Sequence, residues 1–422
     1  MRSDNLKFND IFWNTLGMLT YAAVSLLISV VIINISGSIE GGIFSFGFST
    51  LGRLVYIVSY FGMRPLHIVD IKYRYSFYDY VTFGLKSATL AAIAGLLFIL
   101  IRYMTGNYTI VKSTLLIVLV LHAVIDGFSD YYECEYQRVN KLSMCGQSVF
   151  FRITAFTLTL IIVVYVTKNL LFAEIAAIVV EIIAFYILNI KRSTGVFKSA
   201  KLNETSNKSL LIEALPLFLV TFLDMYIFSA AKFAIDLNLG DVYSGFFNLI
   251  FMPTNVIYLV MTLFMKPLLT PLSNAYHNDR VEYNKILLNT FLLALGLSLA
   301  FIAGTLLLGN VYLSIVKGIT AGVYNNVGKE IIFYNFTLEF VVLFIAIIGG
   351  CFYTICTPMY FAVIIEDKQR YLLISYGINA IISFFISRWF VSIAGIIGAV
   401  ISFLLSMFLL FVGVLIVKGV TA

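Results

Sequence analysis

The stretch KRSTGVFKSAKLNETSNK, Lys191–Lys208, lies near the middle of the 422-residue chain and separates two long apolar regions. Five of its 18 residues are basic, whereas the runs on either side, 170–190 and 209–236, are mainly apolar. A helix needs about 20 apolar residues to cross a bilayer. The stretch therefore predicts an extramembrane connection between two groups of spanning helices. The expected parts are an N-terminal lobe at 1–195, a cytoplasmic linker at 196–208 and a C-terminal lobe at 209–422.

The overall composition supports a membrane protein. Hydrophobic residues make up 61% of the chain and charged residues only 12%, with a mean hydropathy of +0.97. A soluble domain carries about 25% charged residues, and water cannot solvate a surface so poor in charge. Soluble enzymes, nucleic-acid binders and secreted disulfide scaffolds are therefore excluded, and a polytopic membrane protein remains.

Apolar runs long enough to span a bilayer occur twelve times along the chain. Their continuous hydrophobicity predicts helices, because the strands of a membrane barrel alternate in polarity. The expected fold is all-α, with about twelve transmembrane helices in two six-helix lobes around a central cavity. The predicted spans are 11–35, 42–63, 80–102, 110–131, 149–166, 170–190, 209–236, 243–265, 284–308, 331–361, 371–390 and 392–417.

The basic residues predict the orientation of these spans. When both termini are placed in the cytoplasm, 19 of the 28 Lys and Arg residues fall in cytoplasmic segments, six fall outside and three lie within spans. Cytoplasmic loops of membrane proteins carry such an excess of Lys and Arg. The net charge of +6 is therefore an orientation signal, and we expect no nucleic-acid partner.

Sequence signatures of catalysis and of metal or cofactor binding are missing. The chain has no P-loop, no GxSxG motif and no aspartate-rich nucleotide-sugar motif. His67, His122 and His277 lie in different segments and predict no metal site. We therefore expect no enzymatic activity, no catalytic residue and no cofactor.

Ionisable residues inside the predicted spans are the candidate functional residues. Each costs several kcal/mol in the bilayer unless it pairs or faces water. They are Arg53, Lys86, Asp224, Lys232 and Glu339.

Asp224 and Lys232 are eight residues apart, which separates them by about 12 Å and about 80° on one helix. They could line one cavity without forming a pair. The alternative for all the in-span charges is structural, since cations can extend to the headgroups and ion pairs can hold helices together.

A run of acidic residues lies at the predicted cytoplasmic end of the fourth span. Asp126, Asp130 and Glu133 are spaced i, i+4, i+7 and so share one helix face. Glu135 and then Arg138 follow. One interpretation is a solvated extension of the helix with internal pairing. The other is a polar cytoplasmic gate, or a contact with lipid headgroups, formed by Asp126 and Asp130.

Two segments resemble a known family. RPLHIVDIKYRYSFYDY, Arg64–Tyr80, resembles the connection between spans two and three of the Wzx-type lipid-linked oligosaccharide flippases. Asp126–Arg152 resembles their passage from span four into span five. These proteins belong to the multidrug/oligosaccharidyl-lipid/polysaccharide exporter superfamily. The motif matches cover about residues 1–155, and the twelve-span layout agrees over the whole chain.

The resemblance implies a flippase of a bacterial cytoplasmic membrane that works by alternating access. Its cargo would be an undecaprenyl-pyrophosphate-linked oligosaccharide for the synthesis of a polysaccharide such as the O-antigen of lipopolysaccharide. The implied partners are this substrate, the membrane lipids and a glycan polymerase machinery. Cavity cations bind the anionic carrier in relatives, a role that falls here on Arg53, Lys86 and Lys232. Asp224 is the first candidate for ion or proton coupling, and Glu339, Asp126 and Asp130 are further candidates for coupling or gating.

Three other functions compete with this one. A cation-coupled multidrug exporter of the same superfamily would favour carboxylates over basic residues in its cavity. A membrane-embedded polysaccharide polymerase would carry a longer outer loop than the segment of about 20 residues after Gly309. A scaffold subunit would have no need of charges inside its spans.

Overall fold

The computed structural model describes residues 8–70, 74–197, 204–319, 337–366 and 368–420. Throughout these ranges the chain is helical, and no strand occurs in them. The helices are α1 Phe8–Phe46, α2 Gly52–Tyr60, α3 Arg64–Val69, α4 Phe77–Met104, α5 Ile110–Arg138, α6 Leu142–Thr167, α7 Leu170–Phe185, α8 Glu204–Asn238, α9 Asp241–Asn278, α10 Arg280–Ile319, α11 Leu338–Ile365 and α12 Gln369–Val420.

Two of the long helices, α1 and α12, are each folded back on themselves at a glycine. Gly37 has φ +84° and Gly395 has φ +56°, values that L-residues rarely adopt. Beyond Gly37 the chain returns along its own first arm, so that a Cβ on Gly41 would lie 2.5 Å from Ile33 Cα. In α12 a Cβ on Gly398 would collide with the backbone of Phe390. Each helix is therefore a tight antiparallel hairpin.

Ten helical stretches in the described part of the chain are long and apolar enough to cross a membrane. The first and the last of them, Phe8–Ile68 and Arg370–Gly419, contain the two hairpins and so supply two crossings each. The described residues thus provide twelve membrane-length helices, six before Lys191–Lys208 and six after it. The predicted all-α polytopic fold is confirmed.

The helix boundaries differ from the predicted spans where turns are very tight. The return arm of α1 begins directly after Gly37, four residues before the predicted start of the span at 42. It continues through a π-helical turn, Gly47–Leu51, into α2. Hydropathy does not detect such turns, because the residues around them are as apolar as those in the spans.

The chain forms two compact units, Met1–Phe222 and Leu223–Ala422. The boundary lies inside α8, because the beginning of this helix is buried in the first unit, where Leu210 joins a cluster with Phe61. The linker that we predict at 196–208 lies before this boundary, and part of it falls outside the described residues. The lobe limits drawn from the sequence stay a prediction.

Close backbone contact holds α1 against α6. A Cβ on Gly17 would lie 2.6 Å from the carbonyl oxygen of Gly146, and a Cβ on Gly146 would collide with the backbone at Trp13. Small residues allow membrane helices to approach in this way. This contact brings the polar side chains of α1, α5 and α6 together inside the first unit.

A candidate functional site built on buried charges

The acidic face of α5 is buried inside the first unit. Asp126, Asp130 and Glu133 are 6%, 3% and 3% exposed, and Glu135 is 1% exposed. The helix continues to Arg138, as expected, but it is not solvated there. The interpretation of this run as a solvated extension is therefore wrong. Neighbouring helices cover this face and supply cations to it.

Arg152 of α6 is the central cation of this cluster. Its side chain is 1% exposed and contacts carboxylates from two helices. Its Nη2 lies 2.7 Å from Asp126 and 3.1 Å from Glu133, and its Nη1 lies 2.9 Å from Glu181 of α7. The guanidinium group presents a planar fork of donors, which suits contact with several carboxylates. Arg152 thereby ties α5, α6 and α7 together.

His122 extends the cluster from α5. Its Nδ1 lies 2.7 Å from Glu181, and its ring stacks on Phe156 with the ring centres 4.0 Å apart. Glu181 therefore receives contacts from both α5 and α6. Breaking a buried pair by removing one partner costs about 3–5 kcal/mol, because a charge is left uncompensated. The cluster thus stabilises one packing of these three helices.

Arg64, at the start of α3, neutralises the next carboxylate along α5. Its Nε lies 3.0 Å from Asp130, and its Nη2 contacts Asp130 as well and lies 3.8 Å from Glu133. The Arg64 side chain is 37% exposed, unlike that of Arg152. The pair Arg64–Asp130 is therefore the part of the cluster nearest to the surface.

A second group of contacts ties the end of α5 to the connection before α4. Arg138 bonds Glu135 at 2.7 Å and Asp70 at 3.3 Å. His67 lies 2.8 Å from Glu135. Tyr80 donates its hydroxyl to Asp70 and stacks on His67 with ring centres 3.7 Å apart. The segment Arg64–Tyr80, quoted above for its resemblance, is thus anchored to α5 at several points.

Arg53 lies on α2 next to the same cluster and is partly buried. Its guanidinium donates to Ser25 Oγ at 2.8 Å and to the Tyr21 hydroxyl at 3.2 Å. Tyr21 in turn donates to Asp126 at 3.0 Å. These groups border a cavity of about 30 Å³, which is room for about one or two water molecules. Its lining includes Tyr21, Ser25, Phe48, Arg53, His122 and Asp126.

The other two predicted cavity cations have different surroundings. Lys86 lies on the exposed side of α4 beside Leu85, which is 54% exposed. Lys232 is only 4% exposed, and its ammonium lies 4.5 Å from the centre of the Phe251 ring. Arg53 is therefore the one among these three that lines the cavity in the first unit.

In the second unit, Asp224 of α8 contacts tyrosines. It accepts a hydrogen bond of 2.5 Å from Tyr353 of α11 and another from Tyr376 of α12. Asp224 has no contact with a cation within the described part of the chain.

The Asp224–Tyr353 contact repeats a contact of the first unit with the residue types exchanged. Gly240, at the turn after α8, has φ +86°, which matches the φ of +84° at Gly37. Asp224 and Tyr21 each lie 16 residues before their glycine. Tyr21 donates to Asp126 on α5, whereas Asp224 accepts from a tyrosine on α11. Asp126, the carboxylate in the first unit, has Arg152 as counter-ion. Asp224, the carboxylate in the second unit, is bonded to tyrosine hydroxyl groups instead.

Glu339 lies at the end of a helix rather than well inside a span. Because α11 begins at Leu338, Glu339 belongs to its first turn, where a carboxylate complements the helix dipole. Its Oε1 lies 3.0 Å from Lys317 of α10. Glu339 thus falls in the membrane-length helix Leu338–Ile365, at its beginning, and residues 331–336 of the predicted span lie outside the described part.

A further group of contacts, around the buried Glu366, joins the C-terminal ends of α11 and α12. Glu366 contacts Lys418 and lies 3.1 Å from Lys368, and it accepts a hydrogen bond of 2.7 Å from Tyr283. Burial acts to raise the pKa of Glu366, but the hydrogen bonds from Lys418, Tyr283 and Lys368 outweigh it and lower that pKa. Glu366 is therefore a stable anion that holds two lysines at one end of the second unit.

Several members of these clusters are not among the candidates that the sequence singles out. Arg64 stands just outside an apolar run and Arg152 just inside the end of one, so both look like ordinary loop cations, and Tyr21 looks like one of 26 tyrosines. The available signal is the acidic i, i+4, i+7 face of α5, because buried carboxylates require cations nearby. Among the described residues, no group of His, Cys, Asp and Glu has the arrangement of a metal site.

Comparisons with known proteins find similarity of fold. No protein-family model and no curated protein sequence matches the chain. An inward-facing multidrug resistance MATE family transporter of the MOP superfamily superposes with a TM-score of 0.67 at 12% identity, covering 98% of this chain and 100% of the other. The MATE multidrug transporter DinF-BH gives 0.64 at 15% identity, covering 98% and 95%.

A third solved structure comes from Pyrococcus furiosus. It is a MOP superfamily transporter described as having a binding pocket of reverse polarity that suggests a different function. Its TM-score is 0.54 at 14% identity, with 97% of this chain and 94% of the other covered. At such identities the likeness concerns the fold. The chain therefore has the fold of the MATE transporters of the MOP superfamily.

Proposed function

We propose that the protein is a transporter of the MOP superfamily that flips a lipid-linked oligosaccharide across a bacterial cytoplasmic membrane by alternating access. The cargo carries a pyrophosphate, which cannot enter hydrocarbon without compensation. The observation that supports an anionic cargo is the position of Arg53, whose guanidinium lines a small cavity between membrane-length helices together with hydroxyl groups. Guanidinium groups bind phosphate oxygens in pairs.

The carboxylates of the first unit also fit this proposal. Asp126 pairs with Arg152, and Asp130 pairs with Arg64. A multidrug exporter for cationic compounds would need carboxylates that are not already neutralised. The Pyrococcus furiosus transporter supports the idea that this fold is compatible with pockets of opposite polarity.

We assign the roles of the candidate residues within this proposal as follows. Arg53 contacts the pyrophosphate, with Lys86 and Lys232 as further cations on its path. Asp130, with its partly exposed partner Arg64, forms a gate at the cytoplasmic end, and Asp126 fixes the packing beneath it. Lys317–Glu339 is the ion pair that would open at the other end.

Asp224 is the proposed coupling residue. Its partners are hydroxyl groups, which do not neutralise a carboxylate as Arg152 neutralises Asp126. A carboxylate without a counter-ion can take up and release a proton or a monovalent cation. With no P-loop in the sequence, such an exchange would provide the energy for transport.

The protein's surroundings follow from the same proposal. We place both termini in the cytoplasm, on the basis of the Lys and Arg distribution. The flipped cargo would be consumed by a glycan polymerase on the far side, with the bilayer lipids as permanent partners. No catalytic step is assigned to the chain itself.

The test is the flipping of a fluorescent lipid-linked oligosaccharide in proteoliposomes. Arg53→Ala should slow flipping at least tenfold, whereas Arg102→Ala should leave it unchanged, because Arg102 stacks on Phe98 near the end of α4. Equal rates for wild type and Arg53→Ala would refute the assignment of Arg53. Absence of flipping by the wild-type protein, together with efflux of cationic drugs, would refute the proposed cargo.

The second candidate function is a cation-coupled multidrug exporter. It is favoured by the names of the similar structures, which are multidrug transporters. Asp224, which lacks a cationic partner among the described residues, would then bind the drug or the coupling ion. Transport of a cationic dye that is lost in Asp224→Asn and kept in Arg53→Ala would select this function.

A further inference from the structure

An apolar groove runs along the surface of the α12 hairpin. Its volume is about 410 Å³, and both arms of the hairpin contribute to it. On the first arm the lining positions recur on one helix face, and several are widely exposed, such as Ile374 at 61% and Ile378 at 57%. The lining residues are Tyr371, Ile374, Ser375, Ile378, Asn379, Ile382, Leu409, Val412, Gly413, Ile416 and Val417.

The length of the groove matches one leaflet of a bilayer. From Tyr371 to Ile382 the first arm advances eleven residues, which is about 16 Å at 1.5 Å per residue. Half of the hydrocarbon core is about 15 Å thick. The groove therefore extends from one end of the hairpin to about the middle of the membrane, which is the depth of one acyl chain.

Asn379, a polar side chain in the groove, is already engaged between the arms. Asn379 Nδ2 donates to the carbonyl of Ser406 at 3.1 Å, and Asn379 Oδ1 accepts from Ser383. Gly413 meets Ser375 so closely that a Cβ there would collide with the Ser375 hydroxyl. An occupant of the groove therefore meets a lining that is mainly hydrocarbon.

The open end of the groove is basic. Lys368 precedes Tyr371 by one helical turn, and Lys418 follows directly after Val417. Lys368 and Lys418 both contact the carboxylate of Glu366. In the sequence at this end, the three basic residues Lys368, Arg370 and Lys418 outnumber the acidic Glu366 and Asp367. Arg370, immediately before Tyr371, is exposed. This end of α12 is the one that we predict to face the cytoplasm.

We propose that the groove binds an acyl chain of an anionic phospholipid of the inner leaflet, with its phosphate at the basic end. Basic residues beside a membrane attract anionic headgroups. The apolar wall accepts the chain over the depth of one leaflet. The isoprenoid tail of the proposed cargo is much longer than the groove, so an ordinary phospholipid fits better. The site is independent of the proposed transport function.

The first test is binding in detergent, measured by native mass spectrometry of the purified full chain. Phosphatidylglycerol and phosphatidylcholine with identical acyl chains are added in parallel. We expect phosphatidylglycerol to be retained at least tenfold better. Equal retention of the two lipids would overturn the proposal. Preferential retention of a polyprenyl phosphate over phosphatidylglycerol would also overturn it and would assign the groove to the cargo.

Two pairs of variants locate the site. Val412→Trp fills the groove and should lower phosphatidylglycerol binding at least fivefold, whereas Ile381→Trp, on an exposed position outside the groove, should not. Arg370→Gln should lower it about fivefold, in line with the typical contribution of one basic residue near an anionic surface. Arg388→Gln, beyond the groove on the same arm, is the matched control. Equal effects within either pair would contradict the assignment.

A measurement on the unmodified protein excludes misfolding as the cause. Phosphatidylglycerol with a photoreactive diazirine at the acyl terminus should label peptides that contain 378–382 or 409–412. Labelling spread over all exposed apolar helices would refute a defined site.

Discussion

At the scale of single residues, Arg152 is the most constrained charge in the first unit. It is 1% exposed and contacts three carboxylates on two helices. A guanidinium group in the bilayer is costly unless such partners surround it. Its partners are equally dependent on it, because each would otherwise be a buried anion.

We predict that Arg152→Met destabilises the protein by about 3–5 kcal/mol, because three buried carboxylates lose their common cation. Thermal or denaturant unfolding in detergent measures this loss. Arg192→Met is the control, since Arg192 is hydrogen-bonded to Gln147 and lies nearer the surface. Comparable stability of the two variants would contradict the structural role of Arg152.

We predict opposite behaviour for Asp126 and Asp224, the carboxylates of the two corresponding contacts. Asp126→Asn weakens the bond to Arg152 and should lower stability by about 2 kcal/mol, as expected for a hydrogen bond to a charged group. Asp224→Asn keeps an acceptor for Tyr353 and should unfold at nearly the wild-type temperature. Unfolding curves of both variants test this, and a larger loss for Asp224→Asn would show that its role is structural.

The candidate site is only partly predictable from sequence at this scale. In-span charges such as Arg53 and Asp224 are detectable because they interrupt apolar runs. Arg152 is not, since it lies just inside the end of a run and its importance comes from Asp126 and Glu181, which are 26 and 29 residues away in the chain. Pairing between helices depends on packing, which hydropathy does not specify.

At the scale of helices, glycines determine where α1 and α12 reverse. Gly37 and Gly395 adopt positive φ at the turns. Gly41 and Gly398 allow the returning arms to touch the outgoing ones. Helix number and type were predictable from the length of the apolar runs, but these reversals were not, since they occur without a polar loop.

We predict that Gly41→Ala destabilises the α1 hairpin by about 1–3 kcal/mol, because the added methyl group meets the backbone of Ile33. Gly304→Ala is the control within α10, where nothing lies within 4 Å of the added Cβ. There the substitution should stabilise the helix slightly, since Ala has the higher helix propensity. Melting temperatures in detergent compare the two, and equal shifts would argue against a close contact of the arms.

At the scale of the whole molecule, a tyrosine–aspartate contact occurs in both units, but the aspartate has different partners in each. Tyr21–Asp126 is fixed by Arg152, whereas Asp224–Tyr353 has hydroxyl partners. We expect the first unit to keep its charge state during transport and the second unit to change it. Coupling would then depend on the second unit.

We predict that a proton or sodium gradient accelerates flipping by the wild-type protein in proteoliposomes, and that Asp224→Asn abolishes this acceleration while slow, gradient-independent flipping continues. Transport assays with and without an imposed gradient of each ion measure the effect. Tyr226→Phe, a conservative change two residues away on α8, should respond as the wild type does. Persistence of the acceleration in Asp224→Asn would exclude it as the coupling site.

The cluster around Arg152 also has a consequence for biosynthesis. We expect helix α6 to enter the membrane with Arg152 near the start of its apolar run; an arginine on its own costs up to about 2.5–3.5 kcal/mol, the value for a helix centre. By then α5 has been synthesised and can present Asp126 and Glu133, and α7 brings Glu181 next. The order of helices along the chain would thus let Arg152 and then Glu181 meet partners that are already present.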